Sequence, residues 1–121
     1  MYERHETGKI GEDIAVIYLQ QNGYQIIERN FECKQGEIDI ISKDKKEIVF
    51  IEVKTRASAL YGLPKDAVDK SKKKHIYRSA EYYIYAKHLE NKPIRIDVIE
   101  VYKKQGKFKV HHIKQAITEK I

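Results

Sequence analysis

The stretch EIVFIEVKTR, residues 47–56, decides the fold, because its apolar run predicts a strand at the centre of a sheet. Every side chain from Ile48 to Ile51 is apolar, as in strands that are buried on both faces. Glu52 and Lys54 then interrupt the run, and the alternation of side chains along a strand points both to the same face. Burying such charged groups is unfavourable unless something compensates them. The stretch therefore predicts a core strand that carries a polar site at its end.

A second strand precedes this one and forms a hairpin with it. The segment GEIDIIS is separated from EIVFIEVKTR by the polar residues KDKK, so we predict antiparallel strands over 37–42 and 47–55. A loop of four residues, 43–46, would pair Ser42 with Glu47.

The register of this hairpin decides where Asp39 points. With that even-numbered loop, Asp39 lies opposite Phe50 and diagonal to Glu52, on the face that also carries Lys54. A loop one residue longer or shorter would turn Asp39 to the other face. The even register therefore predicts that Asp39, Glu52 and Lys54 converge at one place.

The first helix is predicted from Thr7, a suitable N-cap, to about Asn22, with Gly23 as its C-terminal stop. Two apolar stripes run along this helix and indicate that it is largely buried. The first stripe contains Ile10, Ile14, Ile17, Tyr18 and Gln21, and the second contains Glu12, Ala15, Val16 and Leu19. Glycine within a helix costs about 1 kcal/mol relative to alanine, so Gly8 and Gly11 indicate close packing or ligand approach.

The remaining elements complete a mixed α/β order. A strand is predicted from Tyr24 to Phe31, and a long helix over 65–89 with Pro64 at its first turn. Strands follow in IRIDVIEVY and FKVHHI, and the tail KQAITEKI predicts a short helix. The order α-β-β-β-α-β-β fits one domain over residues 1–121, with a single mixed sheet flanked by helices.

Length and composition describe a single globular domain. The chain has 121 residues, of which 41% are hydrophobic and 35% charged, enough for one domain with a real core. No apolar segment approaches the ~20 residues that span a bilayer, and the N-terminus lacks the apolar core of a signal peptide. The single cysteine, Cys33, excludes an internal disulfide. These features favour the reducing cytoplasm and no membrane partner.

The net charge of +6 is unevenly distributed along the chain. Residues 1–53 hold 7 Lys/Arg against 11 Asp/Glu, whereas residues 54–78 hold 8 against 2 and residues 92–114 hold 7 against 2. A basic balance of this kind makes nucleic acid the leading partner. The alternative is a charged surface that only interacts with solvent.

The predicted convergence of carboxylates suggests a metal site. Two carboxylates within hydrogen-bonding range repel each other, and a divalent cation relieves that repulsion. Mg²⁺ binds through one or two carboxylates together with water and substrate phosphates. Asp39 and Glu52 could hold it, Lys54 could contact a phosphate, and Glu12 could add a ligand directly or through water. Such a group of residues can hydrolyse a phosphodiester. The structural alternative is a salt-bridged Glu52–Lys54 pair near the surface.

Five segments together resemble the YraN family of small bacterial proteins over nearly the whole chain. They are GKIGEDIAVIYL at 8–19, GEIDII at 36–41, FIEVKTR at 50–56, YGLPKDAV at 61–68 and RIDVIEV at 95–101. This family is similar to the PD-(D/E)XK nucleases and to archaeal Holliday-junction resolvases. The resemblance implies a restriction-endonuclease-like αβββαβ core and a magnesium-dependent nuclease site.

The resemblance also implies the roles of individual residues by position. The catalytic set would be Glu12, Asp39, Glu52 and Lys54. Asp39, Glu52, Glu12 and the carbonyl oxygen of Val53 would bind Mg²⁺ or Mn²⁺. The sequence departs from the family pattern in that an isoleucine, and not a proline, precedes Asp39.

Basic residues near the same strand end are expected to contact DNA phosphates, which positions nucleic acid without reading its sequence. They are Arg56, Lys65, Lys72, Lys73 and Arg78, with a solvated helix face as the alternative for those on the second helix. Tyr61 either stacks on a base or packs under its loop. Glu37 either assists the metal or neutralises nearby lysines. Among the remaining polar candidates, His111 and His112 are interpreted as exposed or hydrogen-bonded, and Asp97 and Glu100 as structural.

The favoured function is an endonuclease, a hydrolase of DNA phosphodiester bonds, with branched or damaged DNA as its possible substrates and a homodimer as a possible assembly. Two other classes stay open. One is a nucleic-acid-binding module that has lost turnover, and the other is an adaptor protein in DNA processing.

Overall fold

The computed structural model describes residues 2–56 and 70–118, with side chains from residue 8 onward. Its elements in chain order are helix α1 Tyr2–Gln21, strands β1 Gln25–Cys33, β2 Gly36–Asp44 and β3 Glu47–Arg56, helix α2 Lys70–Ala86, and strands β4 Ile94–Lys104 and β5 Lys107–Ile113. This order of helices and strands is the one that the sequence predicts.

The strands form one mixed sheet in the order β1-β2-β3-β4-β5. β3 and β4 run parallel, and the other neighbouring pairs are antiparallel. α1 packs against one face of the sheet and α2 against the other. The prediction of a mixed α/β protein with a central sheet flanked by helices is confirmed, and the arrangement is consistent with a restriction-endonuclease-like fold.

β3 is the central strand of this sheet and is buried from Ile48 to Glu52. Its even-numbered side chains, such as Phe50, face α2, and odd-numbered ones, such as Ile51, face α1. The ring of Phe50 meets the ring of Tyr83 on α2 edge-on, with centroids 5.7 Å apart. Burying one such large apolar side chain contributes about 1.5–3 kcal/mol relative to leaving it exposed.

α1 begins at Tyr2, so the prediction that Thr7 caps it is wrong. A capping residue has a non-helical backbone, whereas Thr7 lies within the helix. The C-terminal end is as predicted, because Gly23 has a φ of 86° that suits glycine. The N–H of Tyr24 then donates to the C=O of Leu19 at 2.9 Å, the long-range bond of a Schellman motif.

The two predicted apolar stripes of α1 are buried to different degrees, because in the first stripe only Ile14 and Tyr18 pack partly against the core. Ala15 and Leu19 lie in the core, whereas Ile10 and Ile17 are 48% and 54% exposed. A helix that lies on one face of a sheet buries a stripe and not its whole circumference. The prediction of a largely buried helix is therefore wrong for the side that carries Ile10 and Ile17.

The β2–β3 hairpin turns over residues 45–46, because Asp44 pairs with Glu47. The predicted four-residue loop is wrong, and so is the pairing of Ser42 with Glu47, since Ser42 pairs with Val49. A left-handed backbone at the first turn residue, with φ 58°, makes the shorter turn possible. Loops of two and four residues are both even, so the strand faces are as predicted while the cross-strand neighbours shift by two residues.

The second helix ends earlier than predicted. His88 has a φ of 57°, and the N–H of Leu89 donates to the C=O of Ile84 at 2.9 Å, so the helix is closed by a motif that here contains no glycine. The predicted helical residues 65–69 lie outside the described residues, as does Pro64. Residues 114–118 form no helix, so the predicted terminal helix is wrong for that part of the tail. Within the described ranges, neither helix is both long and apolar enough to cross a membrane.

Candidate active site

The site lies where β2 and β3 separate. The last described pair between these strands is Ile40 with Ile51. Beyond it β2 continues beside β1 to Gly36, and β3 continues beside β4 to Arg56. The two strands therefore form a fork, and Asp39 and Glu52 stand at its base as the first residues beyond the last pair.

The backbone of β2 changes direction at Asp39. Ile38 and Ile41 both pack in the core under α2, while Ile40 packs in the core under α1, so the simple alternation of faces is broken at this point. The neighbouring β1 residue, Asn30, has a φ of 55°. This irregularity aims the Asp39 side chain into the fork.

The side chain of Asp39 accepts a hydrogen bond from β3 at a point where the backbones of β2 and β3 no longer pair. The N–H of Val53 donates to Oδ2 of Asp39 at 2.8 Å. The N–H and C=O of one strand residue point to the same side, so the carbonyl oxygen of Val53 also faces the fork. Two potential oxygen ligands, one carboxylate and one carbonyl, thus lie beside each other.

Glu52 is the second carboxylate of the fork and is only 4% exposed. Its Oε2 lies 3.0 Å from Nζ of Lys72 on α2 and 3.7 Å from Nζ of Lys54 on its own strand. The Glu52–Lys54 ion pair of the structural alternative is therefore present, with Glu52 buried and Lys54 partly exposed. The structure therefore brings Asp39, Glu52 and Lys54 together as predicted, and it adds Lys72 to them.

The two carboxylates influence each other directly. Burial and the neighbouring Glu52 carboxylate raise the pKa of Asp39 to about 7, although the Val53 N–H and the Lys72 ammonium act in the opposite direction. Two adjoining carboxylates without a positive charge between them favour a bound proton on one of them. The pair is therefore unfavourable when fully ionised and gains from any cation that reaches it.

Lys72 shows that a cation fits at this place. Burial alone would lower the pKa of Lys72, but the carboxylates of Glu52 and Asp39, together with Glu37, raise it. The ammonium group stays charged and stands in for a cation beside the two carboxylates. Glu37 itself is exposed, and its electrostatic contribution to Lys72 favours its interpretation as a neutraliser of lysines.

The donor set suits a hard cation that keeps part of its water shell. Among residues 8–56 and 70–118 there is no group of three or more Asp, Glu, His or Cys side chains arranged to hold a metal ion. Two carboxylates and a carbonyl fit Mg²⁺, which is bound by few protein ligands and completes its octahedron with water and phosphate oxygens. The same set is less typical of zinc, whose sites usually have three or four protein side chains, with cysteine and histidine prominent among them.

Side chains of β1 bind the carboxylate of Glu12. Its Oε1 accepts hydrogen bonds from Nε and Nη2 of Arg29 at 3.0 and 2.9 Å and from the side chain of Asn30 at 3.2 Å. Arg29 also contacts Asp13 at 2.7 Å. Within residues 8–56 and 70–118, Glu12 does not join Asp39 and Glu52 in a group that could hold a metal ion, and its role as a ligand stays a prediction.

α1 nevertheless lies against the site end of β3. A Cβ atom placed on Gly11 would overlap Oγ1 of Thr55, so only glycine allows this close approach. The suspicion of close packing at Gly11 is confirmed. At Gly8 no described atom lies within 4 Å of the corresponding position.

We expect Gly11→Ala to lower the free energy of unfolding by about 1–3 kcal/mol, because overpacking outweighs the gain in helix propensity. The matched substitution Gly8→Ala should instead raise it by up to about 1 kcal/mol, since nothing obstructs the added methyl group. Urea denaturation of both variants checks this pair. Equal effects of the same sign would show that α1 does not pack on Thr55.

The pKa of Asp39 predicts how stability depends on pH in chelator. Because its folded pKa lies above its unfolded value of 3.8, this group stabilises the fold below pH ~4, and that contribution is lost as pH rises through about 7. Asp39→Asn should therefore be more stable than wild type at pH 8, by on the order of 4 kcal/mol, and nearly equal to it at pH 4. Thermal melts at both pH values measure the difference, and a gap that does not change with pH would refute the assignment.

A second charged cluster continues along the same strand end. Nε of Arg56 lies 3.3 Å from Oε2 of Glu100, and Nδ1 of His111 lies 3.4 Å from Oε1 of the same carboxylate. Nη2 of Arg56 is buried and has no hydrogen-bond partner among the described residues. Glu100, which the sequence indicates only as structural, thus orients a predicted DNA-contacting arginine. The register of the parallel strands, which places Glu100 level with Lys54, brings it to Arg56, and the local sequence carries no signal for this contact.

The other predicted DNA contacts are only partly placed. Tyr61 and Lys65 lie outside the described residues. Lys73 and Arg78 are on α2, but at 100° per residue they point away from the side that carries Lys72. Lys72, Lys73 and Arg78 therefore do not form one surface.

Asp97 is the centre of a buried network on the other face of the sheet. Its carboxylate contacts Nε of Arg95 at 2.9 Å, Nε2 of His112 at 2.7 Å and the N–H of Gln115 at 2.9 Å, and Tyr18 extends the network to His112 at 3.0 Å. Burial alone would raise the pKa of Asp97, but these hydrogen bonds hold it below its usual value. These contacts support the structural interpretation of Asp97 and His112.

The fold and the carboxylate pair define a mixed α/β protein with a charged site at a strand fork. The chain belongs to the family described as uncharacterised protein family UPF0102, whose model matches residues 11–101. This match confirms the YraN-like resemblance of the sequence and names no activity.

Relatives extend over most of the chain. A UPF0102 protein of Clostridium botulinum (strain Hall) is 54% identical over 101 residues, which cover 83% of this chain and 82% of that protein. A UPF0102 protein of Caldicellulosiruptor saccharolyticus is 46% identical over 99 residues, which cover 82% of this chain and 84% of that protein. The crystal structure of SSO0001 is 22% identical, with a TM-score of 0.34, and the match covers 93% of this chain and about half, 52%, of that one. At that score the likeness carries no argument.

Proposed function

We propose that this protein is a metal-dependent endonuclease that hydrolyses phosphodiester bonds of DNA. The observation that carries the proposal is the contact between the Asp39 and Glu52 carboxylates in a strand fork, with the ammonium groups of Lys54 and Lys72 beside them. Placing two carboxylates together in a buried site opposes folding, so the arrangement is best explained by a function. The family resemblance to PD-(D/E)XK nucleases supports the same assignment.

Asp39, Glu52 and the carbonyl oxygen of Val53 would hold Mg²⁺ or Mn²⁺. The carboxylates supply the hard oxygen ligands that these ions prefer, and the carbonyl faces the same fork. Lys72 and Lys54 both contact Oε2 of Glu52, so Oε1 of the same carboxylate could bind the ion while these contacts persist.

Hydrolysis requires water to attack phosphorus while negative charge builds on the phosphate. When bound, the divalent ion would polarise the phosphate and lower the pKa of a coordinated water. Lys54, which is on the same face as Glu52, would donate to a phosphate oxygen and stabilise the extra charge. The water oxygen forms a new bond to phosphorus, and the P–O bond to the leaving sugar oxygen breaks. That oxygen gains a proton in place of the one that water loses.

DNA would reach the site at the end of β3. Arg56 is held at Nε by Glu100 and its Nη2 is buried, so Nη1 is the guanidinium nitrogen that would contact a neighbouring phosphate. Branched or damaged DNA is the substrate that we favour, by the resemblance to junction resolvases. Contacts with the phosphates of the DNA backbone give affinity without sequence preference.

A second candidate is a nucleic-acid-binding module or DNA-processing adaptor without turnover. The observation that favours it is that the ammonium groups of Lys72 and Lys54 already neutralise Glu52. In a protein without turnover, these ion pairs would serve only to stabilise the fork between β2 and β3.

Incubation with supercoiled, single-stranded and four-way-junction DNA, in Mg²⁺, Mn²⁺ or chelator, separates these candidates. The proposal expects cleavage of at least one substrate with either ion and none in chelator. Salt-sensitive binding without cleavage on any substrate would instead indicate the binding module. Absence of both binding and cleavage would indicate the adaptor.

A further inference from the structure

The β4–β5 hairpin projects past the end of the central strand. β3 ends at Arg56, which is level with Tyr102 of β4. β4 continues to Lys104, turns, and returns as β5 from Lys107. The tip of this hairpin thus extends beyond β3 at the same end of the sheet as the carboxylate fork.

The tip is strongly basic. Residues 102–109, YKKQGKFK, contain four lysines and no acidic residue. The ammonium of Lys103 lies over the ring of Phe108, 5.1 Å from its centroid. Three lysines are left, Lys104, Lys107 and Lys109, which are exposed and form no ion pair with any residue in the described ranges.

These three lysines share a face with the candidate active site. In β4, Ile96 and Val98 pack under α2, so Tyr102 and Lys104 are on that face by alternation. The cross-strand pairs Tyr102–Lys109 and Lys104–Lys107 place the β5 lysines there too. Glu52 is level with Val98 on the same face. The carboxylate fork and the three lysines of the hairpin tip therefore lie along one face of the sheet.

The pairing within the tip is unfavourable without a ligand. Lys104 lies directly opposite Lys107, and like charges at such positions are destabilising by up to about 1 kcal/mol. No carboxylate in residues 102–109 offsets this repulsion. A polyanion that bridges the two strands would remove it.

The spacing fits a double helix. At ~3.3 Å per strand residue, Tyr102 lies about 13 Å and Lys104 about 20 Å beyond the level of Glu52. Phosphates along one DNA strand advance about 3.4 Å along the axis per nucleotide. The tip would then meet phosphates roughly four to six base pairs away from one held at the fork.

We propose that Lys104, Lys107 and Lys109 form a second contact surface for the phosphate backbone of duplex DNA, distal to the cleavage point. This inference rests on the proposed function for its choice of partner. The hairpin would supply affinity and position the DNA, and the fork would carry out the cleavage. Because phosphate contacts carry no base information, we expect no sequence preference.

The test measures the affinity for a fluorescein-labelled 30-base-pair duplex by anisotropy, in Ca²⁺, across a series of salt concentrations. The variant Lys104→Gln/Lys107→Gln/Lys109→Gln should lose about two to three units of the slope of log K against log [salt], at ~0.9 per contact. Near 0.1 M salt it should bind roughly 100-fold more weakly. Its thermal stability should stay unchanged or rise slightly, because like-charge repulsion is removed.

The matched control is Lys45→Gln/Lys46→Gln/Lys92→Gln, which removes the same charge from exposed lysines at the opposite end of the sheet. It should keep the wild-type slope and bind within about threefold of wild type. Equal losses in both triple variants, an unchanged slope in the hairpin variant, or no binding of duplex by wild type would overturn the inference. Binding that depends on the hairpin without any cleavage would overturn only the nuclease, whereas cleavage with an unchanged slope would overturn only the hairpin surface.

Discussion

Replacing Glu52 by glutamine is expected to reduce DNA cleavage by at least about 10²–10³-fold while DNA is still bound. Glu52 is a buried carboxylate in contact with Asp39, Lys54 and Lys72, so the amide removes a metal ligand but keeps the size of the side chain. Loss of one preorganised electrostatic contact in an active site has an effect of this order. Single-turnover cleavage in Mg²⁺, at saturating protein, measures it.

The control for this variant is Glu90→Gln, which removes the same charge from an exposed position. It should cleave as wild type does. If Glu52→Gln and Glu90→Gln cut DNA equally well, the activity would not arise at the fork. Thermal melts of both proteins show whether a loss reflects unfolding.

The largest effect on stability is expected at Asp97, on the other side of the sheet. Asp97→Asn should lower the free energy of unfolding at pH 7 by about 3–5 kcal/mol, because it leaves Arg95 and His112 buried beside a neutral partner. The free energy of unfolding of natural proteins is only about 5–15 kcal/mol in total, so the substitution would remove much of the stability. Urea denaturation at pH 7 gives the value.

The pH dependence provides a check on this effect. The pKa of Asp97 is lowered by folding, so its contribution is present above the unfolded value of 3.8 and is lost as pH falls below it. The gap between wild type and Asp97→Asn should therefore narrow below pH ~4. Glu47→Gln is the matched control, since Glu47 contacts the same Arg95 from a more exposed position. It should cost less than about 1 kcal/mol, and a cost equal to that of Asp97→Asn would contradict the network.

The arrangement of the strands was predictable from two features of the sequence, an apolar run and the even length of a hairpin loop. The apolar run before Glu52 specified a central strand, and an even hairpin loop placed Asp39 and Glu52 together although the turn is two residues shorter than expected. Parity survives an error of two residues, whereas it would not survive an error of one. This is why the candidate site was more predictable than the exact pairing.

The contacts between distant elements were not predictable from local pattern. Lys72 was one of several lysines on a helix, and only the packing of α2 on the sheet selects it for Glu52. Glu12 looked like a ligand by position, but Arg29 on the irregular strand β1 holds it. Helix ends were also missed where a left-handed residue such as His88 replaces glycine, because several residue types can adopt that conformation at a modest cost.

The most direct test of the central claim is a titration with Mn²⁺ followed by electron paramagnetic resonance. The account predicts one bound ion per chain for wild type and for Glu90→Gln, and none for the double variant Asp39→Asn/Glu52→Gln, whose fork lacks both carboxylates. A wild-type protein that binds no ion, or a double variant that binds it as tightly as wild type does, would contradict the claim that this pair of carboxylates is a metal site.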